Sequence, residues 1–97
     1  MARNDNVKLV KDVWTQLTNG NVTALRATNT GKASFVLQAT VGTTAPTSAA
    51  GGIPLDPGQT LAADLTVAQL WPGVTGANRI WGLSEQAGIA SVSHANA

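Results

Sequence analysis

His94 is the only histidine in this 97-residue chain, and Ser91 and Ser93 are its nearest hydroxyl neighbours. A serine nucleophile needs its histidine on the same side of the backbone, within hydrogen-bond reach. Alternate residues of an extended segment point to opposite faces, so Ser93 points away from His94. Asp56 or Asp64 could orient a histidine, but no sequence feature marks an oxyanion hole. The expectation is a solvent-facing histidine near a strand end, without a catalytic role. Glycoside hydrolysis needs two carboxylates facing each other across a cleft. Asp56 sits in a Pro-Gly turn, Asp64 precedes a helix start and Glu85 falls at a hairpin tip, three separate turn positions.

Metal and phosphate chemistry are equally unsupported. One histidine, no cysteine and five dispersed carboxylates offer neither an H-x-x-x-H nor a D-x-D-x-D-G spacing. Gly31-Lys32 lacks the preceding glycine of a phosphate loop, and Gly73-Val74-Thr75-Gly76 lacks its lysine. No catalytic residue, metal ligand or cofactor is expected, and the chain reads as a non-enzyme.

Trp14, Trp71 and Trp81, with Phe35, are the only aromatic residues. Exposed tryptophans on a β-sandwich can stack on sugar rings, which keeps a small carbohydrate-binding module open as a reading. A chain this poor in large side chains also needs its tryptophans for burial. Trp71 and Trp81 are therefore expected in the core or at a subunit interface, and Trp14 is the most exposed of the three.

Short strands separated by turn signals must position these residues. Residues 13–18 are rich in β-branched and aromatic types, and Asn19-Gly20 suits a type I′ hairpin turn. Alternation continues through residues 21–28 and 34–41, so the first three strands read as a meander. Residues 42–52 form a long loop of small residues, and Asp56-Pro57-Gly58 is a turn. Leu61, Ala63 and Leu65 alternate with Thr60, Ala62, Asp64 and Thr66 as one more half-buried strand. The period then changes, because Thr66-Val67-Ala68-Gln69 matches a capping box and Val67, Leu70 and Trp71 share a helix face. A short helical turn near 66–71 follows, and residues 78–83 and 88–94 read as a closing hairpin. The fold class is all-β: a compact antiparallel β-sandwich or small barrel of six to seven short strands. Residues 1–12 read as an N-terminal arm, 13–95 as a single β-sandwich domain and 96–97 as a C-terminal tail.

Composition sets limits on partners. Sixteen alanines inflate the 43% hydrophobic content, while Leu, Val, Ile and Phe number only 22. That is about 23% of the chain, just above the roughly 20% below which disorder sets in. A core this thin favours neighbours, because sandwiches leave edge strands that oligomerisation can cover. The net charge of +1 is too small to capture nucleic acid electrostatically. It is unevenly spread, however, at +3 over residues 1–32 and −2 over 33–97, which would suit an acidic neighbour or head-to-tail stacking. No apolar run is long enough to span a membrane, and the N-terminus lacks a signal-peptide core. Synthesis in a cytoplasm is expected.

Several segments carry a resemblance. Trp14-Thr15-Gln16-Leu17-Thr18, Val41-Gly42-Thr43-Thr44-Ala45-Pro46-Thr47, Leu55-Asp56-Pro57-Gly58-Gln59, Leu70-Trp71-Pro72-Gly73 and Val92-Ser93-His94-Ala95 resemble stretches of small bacteriophage virion structural proteins. The resemblance lies in strand and turn pieces and transfers no functional residue. It implies a capsid decoration (cement) protein on the outer shell, bound to the major capsid protein and to itself, with a trimer as the common form. Its localisation would be the virion, assembled in the bacterial host cytoplasm. A tail, neck or fibre-associated protein is the alternative. Leu9 and Val10 of the arm, Trp14 and Trp71 are the candidate interface residues.

Overall fold

Eight strands and one helical turn follow one another in the chain: β1 (Arg3–Leu9), β2 (Thr15–Gln16), β3 (Arg26–Asn29), β4 (Phe35–Thr40), β5 (Ile53–Leu55), β6 (Thr60–Leu61), α1 (Val67–Leu70), β7 (Arg79–Ser84) and β8 (Gly88–His94). The computed structural model describes residues 2–95; Met1 of the expected arm and the expected 96–97 tail lie outside the described residues. Two four-stranded antiparallel sheets result, in the orders β1-β8-β3-β6 and β2-β7-β4-β5. The chain thus pairs β1 with β8, β2 with β7, β3 with β6 and β4 with β5, like one long hairpin wrapped around a common core. This is the strand order of a jelly roll, the two-sheet form of the sandwich. Its accessible surface of 5121 Å² is close to the ~5,200 Å² that size scaling gives for a folded chain of this mass.

Alternation drives the packing. In β8, Gly88, Ala90, Val92 and His94 are buried while Ile89, Ser91 and Ser93 face outward. In β4, Phe35, Leu37 and Ala39 enter the core from the other sheet. Val67 and Trp71 close the core from the helical turn, whose N-cap Thr66 and Gln69 exchange both bonds of a capping box. That turn and the Asp56-Pro57-Gly58 turn, with Gly58 at φ 85° and the Gln59 N–H donating to the Asp56 carbonyl, form as the sequence predicts.

Several expectations are corrected. The chain does not run as a meander, because β2 and β3 lie in different sheets and Asn19-Gly20 has no positive φ at either residue. Leu17, Val22 and Leu25 are all buried, so the segment dives across the core instead of turning back at the surface. Residues 79–84 and 88–94 are not a hairpin either; β7 and β8 belong to opposite sheets. Residues 3–9 are no arm: β1 pairs with β8 over seven positions, from Arg3 opposite His94 to Leu9 opposite Gly88. Two of its four inward positions are charged, and Arg3 and Asp5 pair there at 3.5 Å, which is why the strand reads as polar. Inward charges on an edge strand also discourage further strand addition, as does Pro54 on edge strand β5. The strand expected through Leu65 stops at Leu61, because β3 offers β6 partners only at Ala27 and Thr28.

Candidate functional site at the ends of the sandwich

The residues with chemical potential are dispersed, and His94 and Asp56 are engaged in structural bonds. His94 is buried, contrary to the solvent-facing expectation, because it occupies an inward position of β8. The Asn19 N–H donates to its Nε2 at 3.4 Å, which leaves Nδ1–H to donate to the Ala95 carbonyl at 3.1 Å. Asp56 accepts a bond from the Ser34 hydroxyl at 2.7 Å, and Glu85 is exposed in the β7–β8 turn. Among the described residues, no three His, Cys, Asp or Glu side chains gather as a metal site.

The tryptophans do not form a stacking platform. Trp71 lies in the core, and Trp14 is half-buried. Trp81 covers the outer face of the second sheet between Gln16 and Gln38, its indole N–H donating to Thr40 Oγ1 at 2.8 Å. Of the candidate interface residues, Leu9 is 2% exposed and fills the core beneath Gly82 and Gly88, so it is not presented to a partner. Val10, its neighbour, is 58% exposed.

The antiparallel wrap sends the connections alternately to two ends. At one end, β1–β2, β3–β4, β5–β6 and β7–β8 are joined by five, five, four and three residues. At the other end, β2–β3, β4–β5 and β6–β7 are joined by nine, twelve and seventeen residues. Among the described residues, every large hydrophobic side chain that is exposed belongs to one of these ends. Val10, Val13 and Ile89 are at the short-loop end, and Val41 and Leu65 are at the long-loop end. The outer face of the first sheet is instead a polar ladder, with Asn6, Ser91, Thr28 and Thr60 in one row.

The short-loop end contains a groove of about 640 Å³, lined mostly by apolar atoms. Gly31 and Gly88 form its floor: a Cβ on Gly31 would stand 3.0 Å from the Ile89 nitrogen and 3.5 Å from the Gly88 Cα. Val10 and Ile89 are its apolar walls, and Lys8, Lys11 and Lys32 also line it without any acidic residue. The Thr30 N–H donates to the Ile89 carbonyl, which ties the Thr30–Lys32 wall to β8. Among the described residues these three ammonium groups have no ion-pair partner, since the one ion pair is Arg3–Asp5. Composition pointed to a basic N-terminal third; the clustering of three of its lysines with Ile89 required the fold.

A second groove, of about 490 Å³, lies at the long-loop end between the β4–β5 loop and the segment after α1. Gln38 fastens this loop, its Nε2 donating to the Ala50 carbonyl at 2.7 Å. Gly52 lets the returning chain touch β4, where a Cβ would meet Val36 at 2.5 Å and the Leu37 carbonyl at 2.7 Å. Beyond this groove, Ala62, Ala63, Asp64 and Leu65 are four consecutive exposed residues. Alternation had assigned Leu65 to the core, so its exposure was missed; the adjacent capping box at Thr66 was the signal that the strand had already ended.

No family model matches this chain, and no curated protein or solved structure matches it.

Proposed function

We propose that this chain is a non-enzymatic virion structural subunit, a decoration protein that binds the outer surface of a phage's major capsid protein and stabilises the shell as a homo-oligomer. The observation that carries this reading is that, among the described residues, the exposed large hydrophobic side chains sit at the two ends of a small sandwich whose first sheet has a polar outer face. A building block that joins neighbours needs apolar side chains where those neighbours meet it, and Val10 and Ile89 share one groove at the short-loop end. The segments resembling small virion proteins support the same reading. Val10, not Leu9, is then the contact residue of the N-terminal region, and Trp71 acts from within by holding the long-loop end together.

The test is the copy number of the chain in purified particles of the phage that encodes it, by quantitative mass spectrometry against the major capsid protein. A ratio near one, or a simple fraction of it, supports capsid decoration. A ratio of a few per cent reassigns the chain to the tail or neck. Absence from the particle ends the virion reading and turns attention to glycan binding.

A further inference from the structure

We propose that copies of this chain associate head to tail, the Asp64–Leu65 knob of one copy seating in the lysine-walled groove of the next. The inference rests on the homo-oligomer in the functional reading above and names the surfaces that form it. The groove presents apolar walls, Val10 and Ile89, over a glycine floor, and adds three lysines with no acidic residue. Its fitting occupant is an apolar side chain beside a carboxylate. The long-loop end of the same molecule displays that pair: Leu65 is 45% exposed and its neighbour Asp64 is exposed, in a run of four exposed residues of which three are apolar. Leu65 is the one large apolar side chain of this run, and it stands directly beside the carboxylate. Asp64 has no ion-pair partner among the described residues, and neither do the groove lysines, so the contact joins charges that the monomer leaves unpaired.

Because the groove and the knob lie at opposite ends, the contact is heterologous, and repetition gives a closed ring or an open row. A contact confined to one end of a molecule measuring 30 × 26 × 20 Å is small, at or below the roughly 1,000 Å² of a specific interface. Association of the isolated protein is therefore weak and concentration-dependent, and it strengthens where a shell holds many copies side by side.

Sedimentation velocity from about 1 µM to 1 mM, the range of weak interfaces, tests the proposal with two variants. One carries Lys8→Glu, Lys11→Glu and Lys32→Glu; the other carries Asp64→Ser and Leu65→Ser. The wild type is expected to grow beyond its 9.9 kDa monomer as concentration rises, and each variant alone to stay monomeric. Their equimolar mixture is expected to stop at a dimer of one copy each, since it keeps one intact knob and one intact groove. A mixture that remains monomeric while the wild type associates overturns the head-to-tail contact. Wild type that is monomeric throughout overturns it as well, and particle binding by that monomer would hand the groove to an acidic segment of the capsid protein. Should the triple variant fail to fold, Val10→Ser replaces it. Raising salt to about 0.5 M is further expected to weaken wild-type association tenfold or more by screening, and salt-insensitive association contradicts the proposal. The copy-number measurement can fail while this one succeeds, so the two readings fall separately.

Discussion

At the short-loop end four connections of three to five residues turn the chain, whereas at the long-loop end three connections of nine to seventeen residues do so. The consequence is visible in the core. Five of its fourteen buried members, Leu17, Val22, Leu25, Val67 and Trp71, come from the long connections, and none comes from the short ones. Strands of two to seven residues with so few large side chains cannot fill a sandwich alone, so the long connections complete the core from their end. The short connections put none of their side chains into the core. They hold their end with polar bonds, centred on Asn29, and leave Val10, Val13 and Ile89 uncovered. In a thin-cored domain, then, loop length decides where apolar surface is sealed and where it stays available to another molecule.

The strongest challenge to this contrast is to remove the strand that runs between the two ends. Deleting residues 1–12 as an arm would be harmless; deleting them as β1 removes a seven-residue ladder and the buried Leu9 side chain. Loss of a buried leucine alone costs about 2–5 kcal/mol, against a total stability of about 5–15 kcal/mol for a domain of this size. The truncated chain is expected to show no cooperative thermal transition by circular dichroism. A retained sharp transition would restore the arm and remove β1 from the fold's essential parts.

At the long-loop end the expected loss from Trp71→Ala is about 3–5 kcal/mol, the range for emptying a buried tryptophan site. Its indole N–H has no hydrogen-bond partner among the described residues, so Trp71→Phe should lose only volume and contacts. Urea titration of both variants sharpens the point. If the phenylalanine variant were as unstable as the alanine one, a phenyl ring would not fill the site and the seal would require the full indole. At the short-loop end Asn29→Ala is the matching experiment. Its Nδ2 donates to the carbonyls of Ala33 and Leu55 at 2.8 Å each, and its Oδ1 accepts from Gly31 N–H at 3.0 Å. Leaving a buried carbonyl unpaired costs about 1–3 kcal/mol, so a total near 3 kcal/mol is expected in the same titration. A loss below about 1 kcal/mol, a single ordinary bond, would mean that polar bonds do not hold this end.

Local features were legible in the sequence and long-range pairing was not. The alternation of β4 and β8, the capping box at Thr66 and the Asp56-Pro57-Gly58 turn depend on neighbouring residues, and all three formed. Asn19-Gly20 misled because a turn dipeptide states what the backbone can do, while the burial of Leu17, Val22 and Leu25 decided what it does. β1 was hidden by Arg3 and Asp5 at inward positions, where they lie 3.5 Å apart at the sheet edge. Val10 was recognisable as an apolar residue in a polar stretch; its groove was not, because residues 8–11, 30–32 and 87–89 meet only through the wrap. The virion assignment rests on no pairing pattern at all, and remains the functional proposal tested by copy number.

The smallest expected effect on stability separates surface from core. Leu65→Ser changes an exposed side chain in a connection that contributes Val67 and Trp71 to the core two and six residues later. If Leu65 only decorates the surface, its loss should move the urea midpoint by no more than about 0.5 kcal/mol of stability. The same substitution should shift self-association toward monomer, since the knob loses the one large apolar side chain of its exposed run. Both measurements on one sample divide the long-loop end into a part that seals and a part that displays. A loss of 2 kcal/mol or more, the scale of a buried leucine, would place Leu65 in the seal, and the contrast between the ends would then rest on the short-loop end alone.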